Sequence, residues 1–489
     1  MFRENIEGSE LNLNEPADLT PEKIPHKFWY KGENNRLSFD IKEYMEFLKH
    51  HGFAKVIQDK NLTFISMVDG ILDEVEIAEI RDYIMKFVRS LKPSQLGDVK
   101  ISQIERLIYK SNRKMFLPAN LEFLPTIVPD VLRDTEVESF IPFTNGLLRI
   151  TKDSRRLVPY SEFKKYIWKD HVIDREIAWT DEKSDFEEFC FNAMGRNEQR
   201  FNALRSVIGY LVNTFKNPAN TRAVILMDEK VSDGSYGRSG KSLIYNAIFK
   251  IRKGTKDDGR SFKAGRNFAF QSLSRDTLVY ALDDCRPNFP FEDFFSIIAE
   301  GITVEKKNKN PFYLAYSVSP KIMLTTNFTI SGFSDSALAR QFVVEFSDHY
   351  NRKHQPHHEF GKTFFDKWDV SEWNAFDNFI IDCVQYYLTN GLVEYVYVNL
   401  EYKRLVEGTS AEIVEFIECP GNFIFDTEYD KKTLHADFVR AFPDYEKLPQ
   451  KTFTLWLKTY SKLKGYEFEE RRSGNDRYVS IVKNEELPF

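Results

Sequence analysis

Residues 223–250 read AVILMDEKVSDGSYGRSGKSLIYNAIFK. Val224 to Met227 is a short apolar run suited to a buried strand, Ser232 to Ser239 is a polar loop containing glycine, and Leu243 to Phe249 reads as a helix. Inside it SYGRSGKS, residues 235–242, matches the pattern G-x-x-x-x-G-K-[ST] except at its first position, where Ser235 stands for glycine, flanked by Gly234 and Gly237. Strand, loop and helix in that order make a phosphate cradle. Successive backbone N–H groups wrap a β-phosphate and the positive end of the helix dipole assists them. Gly240 lets the backbone come close, Lys241 reaches the β- and γ-phosphates, and the Ser242 hydroxyl sits on Mg²⁺. The expected nucleotide contacts are Ser235, Gly237, Arg238, Ser239, Gly240, Lys241, Ser242 and Leu243, with ATP as the nucleotide.

Two further strands supply what a phosphate loop needs for hydrolysis. Thr277 to Asp284 (TLVYALDD) is an apolar strand ending in two acids. Asp283 would hold the magnesium through water, so the metal set is Ser242 and Asp283, and Asp284 would orient or deprotonate the attacking water. Met227-Asp228-Glu229 forms a similar strand end, but it precedes the loop directly and reads as a decoy. Lys321 to Asn327 (KIMLTTN) is the next strand, and the Asn327 amide is placed to sense the γ-phosphate and the lytic water. Arg340 follows thirteen residues later. Its fixed planar charge matches a phosphoryl group in transfer, and ring ATPases take such an arginine from the neighbouring subunit.

Composition sets the frame for these motifs. At 489 residues the chain exceeds the size of one hydrophobic core, and roughly three or four folding units are expected. Its 42% hydrophobic and 29% charged content, without an apolar run near the ~20 residues of a membrane span, predicts a soluble protein and excludes membrane partners. The polar, acidic start MFRENIEGSELNLNEPADL lacks the pattern of a secretory signal, so a bacterial or host cytoplasm is expected. Cys190, Cys285, Cys383 and Cys419 lie far apart, which predicts reduced thiols rather than a zinc or dithiol motif. A net charge of −6 does not advertise nucleic-acid binding, but phosphate answers to local charge.

The chain divides by periodicity. Residues 1–135 form an α+β region of unread role, with a helix from Asp40 to His51, and contain no aspartate pair that resembles a priming site. Residues 136–215 hold a hairpin about Thr144-Asn145-Gly146 and amphipathic helices through Phe186–Met194 and Phe201–Leu211, read either as an oligomerising collar or as plain core helices. The ATPase core occupies 216–350, helices follow over 351–400, and 401–489 reads as a separate C-terminal unit. There, helices Leu434–Phe442 and Lys451–Lys464 precede two strands about Ser473–Asp476, a winged-helix pattern. Nine basic and four acidic residues between Lys447 and Lys483 give that face a net +5. Arg471, Arg472 and Arg477 are its candidate DNA-backbone contacts, and protein docking is the nearly equal alternative. His349, His354, His357 and His358 suggest a metal, but without an adjoining cysteine or carboxylate constellation of clear geometry they are expected to be surface residues.

The phosphate loop, the acid pair and the sensor asparagine, packed between Ser235 and Asn327, resemble superfamily 3 helicases, particularly the helicase half of phage and plasmid primase-helicases. The resemblance covers about residues 140–395, through His358-Glu359-Phe360-Gly361 and Trp368 to Tyr387, and is faint over the first 130. It implies an α/β fold with a P-loop AAA+-like core, a homohexameric ring, and 3′ to 5′ translocation on single-stranded DNA to open forked duplex DNA, with a primase or polymerase as partner. In that family a hairpin between acid pair and sensor projects into the channel and holds the DNA backbone. Here Val304 to Tyr313 (VEKKNKNPFY) stands at that place, making Lys306, Lys307 and Lys309 the channel candidates. Two other readings stay open: an origin-binding initiator whose ATPase controls assembly without processive unwinding, and a primase-helicase.

Overall fold

Alternation along Ala223–Asp228 sets the architecture of the larger unit. Val224 and Leu226 enter one hydrophobic core while Ala223, Ile225 and Met227 enter another, and all five are buried. A strand apolar on both faces belongs in the middle of a parallel sheet covered on both sides. The computed structural model, which describes residues 24–32, 35–58, 61–230, 238–286, 289–308, 310–328, 335–474 and 476–483, places it there. The sheet comprises β1 (Ala223–Asp228), β2 (Gly254–Asp258), β3 (Val279–Cys285), β4 (Lys321–Thr326) and β5 (Gln341–Phe346). All are parallel, in the order β2-β3-β4-β1-β5. This is a mixed α/β unit built on a parallel sheet, consistent with a P-loop core.

Val279, Ala281, Met323, Phe342 and Val344 join Val224 on one face. Against them pack helices α1 (Asp185–Ala193), α2 (Glu198–Val212), α3 (Lys241–Phe249) and α4 (Val370–Asn390), through Phe189, Leu204, Ile208, Ile248 and Ile380. The two helices preceding β1 therefore form part of the core layer on this face. Gly209 in α2 shows how close the contact is: an added Cβ would lie 2.1 Å from the Cys383 carbonyl oxygen of α4. The other face, with Tyr280, Leu282, Ile322 and Leu324, is covered by Phe262, Phe270, Phe294 and the segment around Ile297 and Ile298.

The expected hairpin about Asn145 is present as Glu138–Phe143 and Gly146–Thr151, and Arg155–Val158 extends it to three antiparallel strands. It is tied to the parallel-sheet unit by buried Arg252, which donates from Nη2 to Asp134 at 2.8 Å and from Nη1 to the Phe140 carbonyl at 2.8 Å. The C-terminal segment has a separate core around Phe416, Leu434, Phe438, Phe453 and Leu457. Its helices Lys431–Ala441 and Gln450–Lys464 lead into paired strands Glu467–Ser473 and Asp476–Val482, with short Tyr429–Asp430 on the far side of the latter.

The chain divides into two units, Met1–Asp130 and Val131–Phe489. In the first, strands Phe53–Gln58, Asn61–Val68 and Ile71–Glu74 form an antiparallel meander. The expected helix spans Ile41–His50, with Asp40 accepting from the Lys42 and Glu43 amides as its N-cap. Tyr44 and Phe47 from this helix share a core with Phe28, Ile84 and Ile104. Among the described residues the four cysteines are free, and no helix is long and apolar enough to cross a membrane.

Candidate nucleotide site

In a parallel sheet ligands bind beyond the carboxyl ends of the strands, and β1, β3 and β4 all end in polar residues. The pairing Met227 to Thr326 sets Asp228 of β1 level with Asn327 after β4. Lys241, the first residue of α3, closes the gap between them. Its ammonium donates to Asp228 Oδ1 at 2.6 Å, to Asn327 Oδ1 at 2.9 Å and to Ser239 Oγ at 3.1 Å. The Ser239 hydroxyl in turn donates to Asp228 Oδ1 at 2.5 Å. Burial lowers the Lys241 pKa from its ordinary value, and the facing Asp228 carboxylate opposes that shift.

Asp228, set aside in sequence as a decoy for the acid pair, is the ion-pair partner of Lys241, a contact that its strand-end position alone does not announce. Lys403, on helix α5 (Leu400–Gly408), was also not anticipated: its buried ammonium donates to the Asp228 backbone carbonyl. Burial lowers the pKa of Lys403 as well. Two buried ammonium groups therefore converge on the end of β1, one on the Asp228 carboxylate and one on its carbonyl.

Gly240 fits the phosphate cradle on two counts. Its φ is +91°, the left-handed region where glycine carries no steric cost, and a Cβ there would lie 2.6 Å from the Phe189 ring. Arg238 (φ +93°) and Ser242 are exposed at the mouth of the cradle, Leu243 is half-buried, and Ser239 is buried. Ser235 and Gly237 lie outside the described residues.

The acid pair sits where β3 departs from regular pairing, between Leu282 and Cys285. Asp284 has φ +57°, uncommon for a residue with a side chain and a form of strain that functional sites retain. Thr325 holds the distortion: its Oγ1 accepts from the Asp284 amide at 2.8 Å and donates to Asp283 Oδ1 at 2.7 Å. Tyr245 donates to Asp283 Oδ2 at 2.9 Å, and Arg260 pairs with Asp284 at 2.6 Å. Thr325 and Tyr245 lie on elements legible in sequence, but their contacts with the acid pair, like that of Arg260, depend on tertiary packing that sequence does not show.

Arg340 stands at the opposite, amino-terminal end of the strands. It immediately precedes β5, and its carbonyl accepts from the Ala223 amide at the start of β1. The six residues of β1, at about 3.3 Å each, put roughly 16 Å between that end and the one where Lys241 sits. The guanidinium packs over the Phe295 ring at 4.8 Å and donates from Nη1 to the Ser336 carbonyl, while its Nε is buried without a hydrogen-bond partner among the described residues.

The lysine-bearing loop joins strands Gly301–Val304 and Phe312–Ala315, an antiparallel hairpin between β3 and β4. Lys307 is exposed and Lys306 half-buried at its turn, Tyr313 is 55% exposed, and Lys309 lies outside the described residues. In the C-terminal hairpin Arg471 is already engaged by Glu428 in a two-pronged pair at 2.7 and 2.6 Å. Arg472 and Arg477 are exposed there.

No family model and no curated protein matches the sequence. Among solved structures the chain is similar to the apo C-terminal region of NrS-1, at 11% identity over 90% of this chain and 99% of that one, with a TM-score of 0.44. A second structure of that region, at 10% identity, covers 90% and 98% with a TM-score of 0.42. JCV Helicase bound to a thiazolopyridine acetamide matches at 11% identity over 57% of this chain and 65% of its own, with a TM-score of 0.26. A helicase thus stands among the solved structures that this chain resembles, while the site's own residues carry the functional reading.

Proposed function

We propose that the chain is an ATP-hydrolysing motor that assembles as a ring, a homohexamer by the resemblance, and moves along single-stranded DNA to open forked duplex. The carrying observation is the convergence of Lys241, Asp228 and Asn327 at the carboxyl ends of the central strands, one strand from the strained Asp283-Asp284 pair. ATP binding would transfer the Lys241 ammonium from Asp228 to the phosphates, with Gly240 and the first turn of α3 offering backbone N–H groups. Ser242 and Asp283 would hold Mg²⁺, whose charge offsets that building on the phosphoryl oxygens. Asp284 would take the proton of the attacking water, and Asn327 would register the γ-phosphate through the lysine it already touches.

Arg340 fits a role in trans. A side chain rooted about a strand length from its own cradle stabilises transfer best in a neighbour's site, which makes the interface between protomers the catalytic unit. The hairpin carrying Lys306, Lys307 and Lys309 would face the DNA backbone, and exposed Tyr313 offers a surface for a base to stack on. The C-terminal helices and hairpin would serve as a winged helix for DNA or protein, with Arg472 and Arg477 more available than the paired Arg471. Strand displacement on a forked substrate, with ATP and Mg²⁺, tests this function. ATP-dependent opening is the expected result, and DNA-stimulated hydrolysis without strand separation would instead favour an initiator that only remodels its origin.

A further inference from the structure

The four histidines after β5 divide into two pairs. His358 Nδ1 accepts from the Gln355 amide at 3.3 Å, closing the first turn of helix Pro356–Phe360, and His357 packs edge-on against the His358 ring. His349 and His354 do something else. Their Nε2 atoms both approach one oxygen of Glu359, at 3.0 and 3.1 Å, and the three donor atoms lie within 4.8 Å of one another. The carboxylate that the sequence expectation found wanting is this glutamate, ten residues beyond His349 and oriented by the helix.

Each donor is held by a group that is not itself a donor. The His354 ring stacks on Tyr350 at 5.7 Å and 9°, and the His349 ring meets the same tyrosine edge-on at 4.6 Å. Tyr350 is buried and stacked in turn on Phe189 of α1. The other oxygen of Glu359 accepts from buried Asn192 Nδ2 at 3.0 Å, and Asn351 Oδ1 fixes the intervening turn by accepting from the Lys353 and His354 amides. Such outer partners orient ligands in metal sites.

We infer that His349, His354 and Glu359 bind a divalent transition-metal ion of the zinc class, with the remaining coordination position open to solvent. Two neutral imidazoles and one carboxylate are a borderline donor set suited to Zn²⁺ and its neighbours rather than to Ca²⁺ or Mg²⁺, which take oxygen. Tetrahedral coordination with bonds of about 2.0–2.1 Å sets donors about 3.3 Å apart, so the observed 3.0 and 3.1 Å need open by only a few tenths of an ångström. Side-chain exposures of 24%, 45% and 25% for His349, His354 and Glu359 leave the ion a path in. Bound there, it would clip the turn after β5 to helix Pro356–Phe360 and, through Glu359 and Asn192, to α1.

The full chain, stripped with a chelator, is titrated with Zn²⁺ by calorimetry and with Co²⁺ by visible absorption. One ion per chain is expected, with Co²⁺ bands of low-coordinate nitrogen–oxygen type and without the thiolate charge-transfer band that exposed Cys419 would give. His354→Ala, at the most exposed donor, and Glu359→Gln should each weaken Zn²⁺ binding by about tenfold or more, whereas His357→Ala should leave it unchanged. Zn²⁺ should also raise the melting temperature of the wild-type chain and not that of His354→Ala. Absence of stoichiometric binding, a thiolate-type Co²⁺ spectrum, or equal affinity in wild type, His354→Ala and Glu359→Gln overturns the assignment. Circular dichroism on both variants separates a lost ligand from a lost fold.

Discussion

The Lys241 ammonium lies 2.6 Å from Asp228 Oδ1, an ion pair across the mouth of the phosphate cradle with both side chains largely buried. In the proposed function a triphosphate would meet a lysine already paired, so ATP would displace or share Asp228 and the carboxylate would oppose the approaching phosphates. Asp228→Asn keeps the shape and removes the charge. Nucleotide affinity should rise by about tenfold, equivalent to ~1.4 kcal/mol, in a titration with a fluorescent ATP analogue. Unchanged or weaker binding would mean that the carboxylate serves only to aim the lysine.

Lys241→Ala should lower the steady-state ATPase rate by at least about 10²-fold, the scale for losing one charged donor at a reacting phosphate. It also strands Asp228 in a buried position, and breaking one side of such a pair typically costs about 3–5 kcal/mol. The double variant Lys241→Ala/Asp228→Ala should recover part of that stability in denaturant unfolding and none of the hydrolysis. An ATPase rate equal to wild type in Lys241→Ala would remove the site assignment altogether.

That pair also marks how far the sequence could be read. The buried strand β1, helix α3, and strands β3 and β4 announce themselves by apolar runs, because local pattern and burial agree there. Asp228 and Asp283 have the same local signature, and only the register of β1 against β4 tells which faces the lysine. Arg260 and Lys403 reach the site from segments without motif signals, brought in by the tertiary fold, while Thr325 lies on a legible strand whose side-chain partners the sequence does not reveal. Gly254–Asp258 (GTKDD) was not recognisable as β2 because an edge strand of polar residues lacks the apolar alternation on which strand reading depends.

Arg340→Ala should abolish turnover while nucleotide affinity stays within about threefold of wild type, since the residue lies at the amino-terminal end of the strands, away from Lys241 of its own chain. Mixing gives the sharper result. Rings formed from Arg340→Ala and Lys241→Ala chains contain some interfaces with both residues intact, so the mixture should recover hydrolysis that neither variant has alone. No recovery on mixing, with co-assembly verified by sedimentation, would place Arg340 outside the neighbour's site.

Replacing Lys306, Lys307 and Lys309 with Ala should weaken single-stranded DNA binding and unwinding more than DNA-free hydrolysis. A lysine that neutralises a single-strand phosphate releases a counterion, so the slope of log K against log salt should flatten by about 0.7 for each phosphate no longer neutralised. An unaltered slope would show that these lysines are merely a solvated turn.

The last expectation concerns pH. Lys216 is buried, donates to Ser319 Oγ at 2.7 Å and lies over the Tyr316 ring at 4.3 Å, close to the more deeply buried Lys321. Burial lowers its pKa from 10.5 to about 7. The unfolded chain, with the ordinary lysine value, therefore holds more protons than the folded one between about pH 7 and 10.5. Stability contributed by this group must rise with pH across that window, by up to about 1.4 kcal/mol per unit. Below the window both states are charged and the folded state bears the full penalty; above it neither is charged and the penalty is gone. Lys216→Met keeps the apolar stem and removes the titration. Compared by denaturant unfolding, the variant should gain most over wild type near pH 7 and least near pH 10. A difference that does not change with pH would mean that Lys216 keeps its charge in the folded protein, held by the hydroxyl and the ring face.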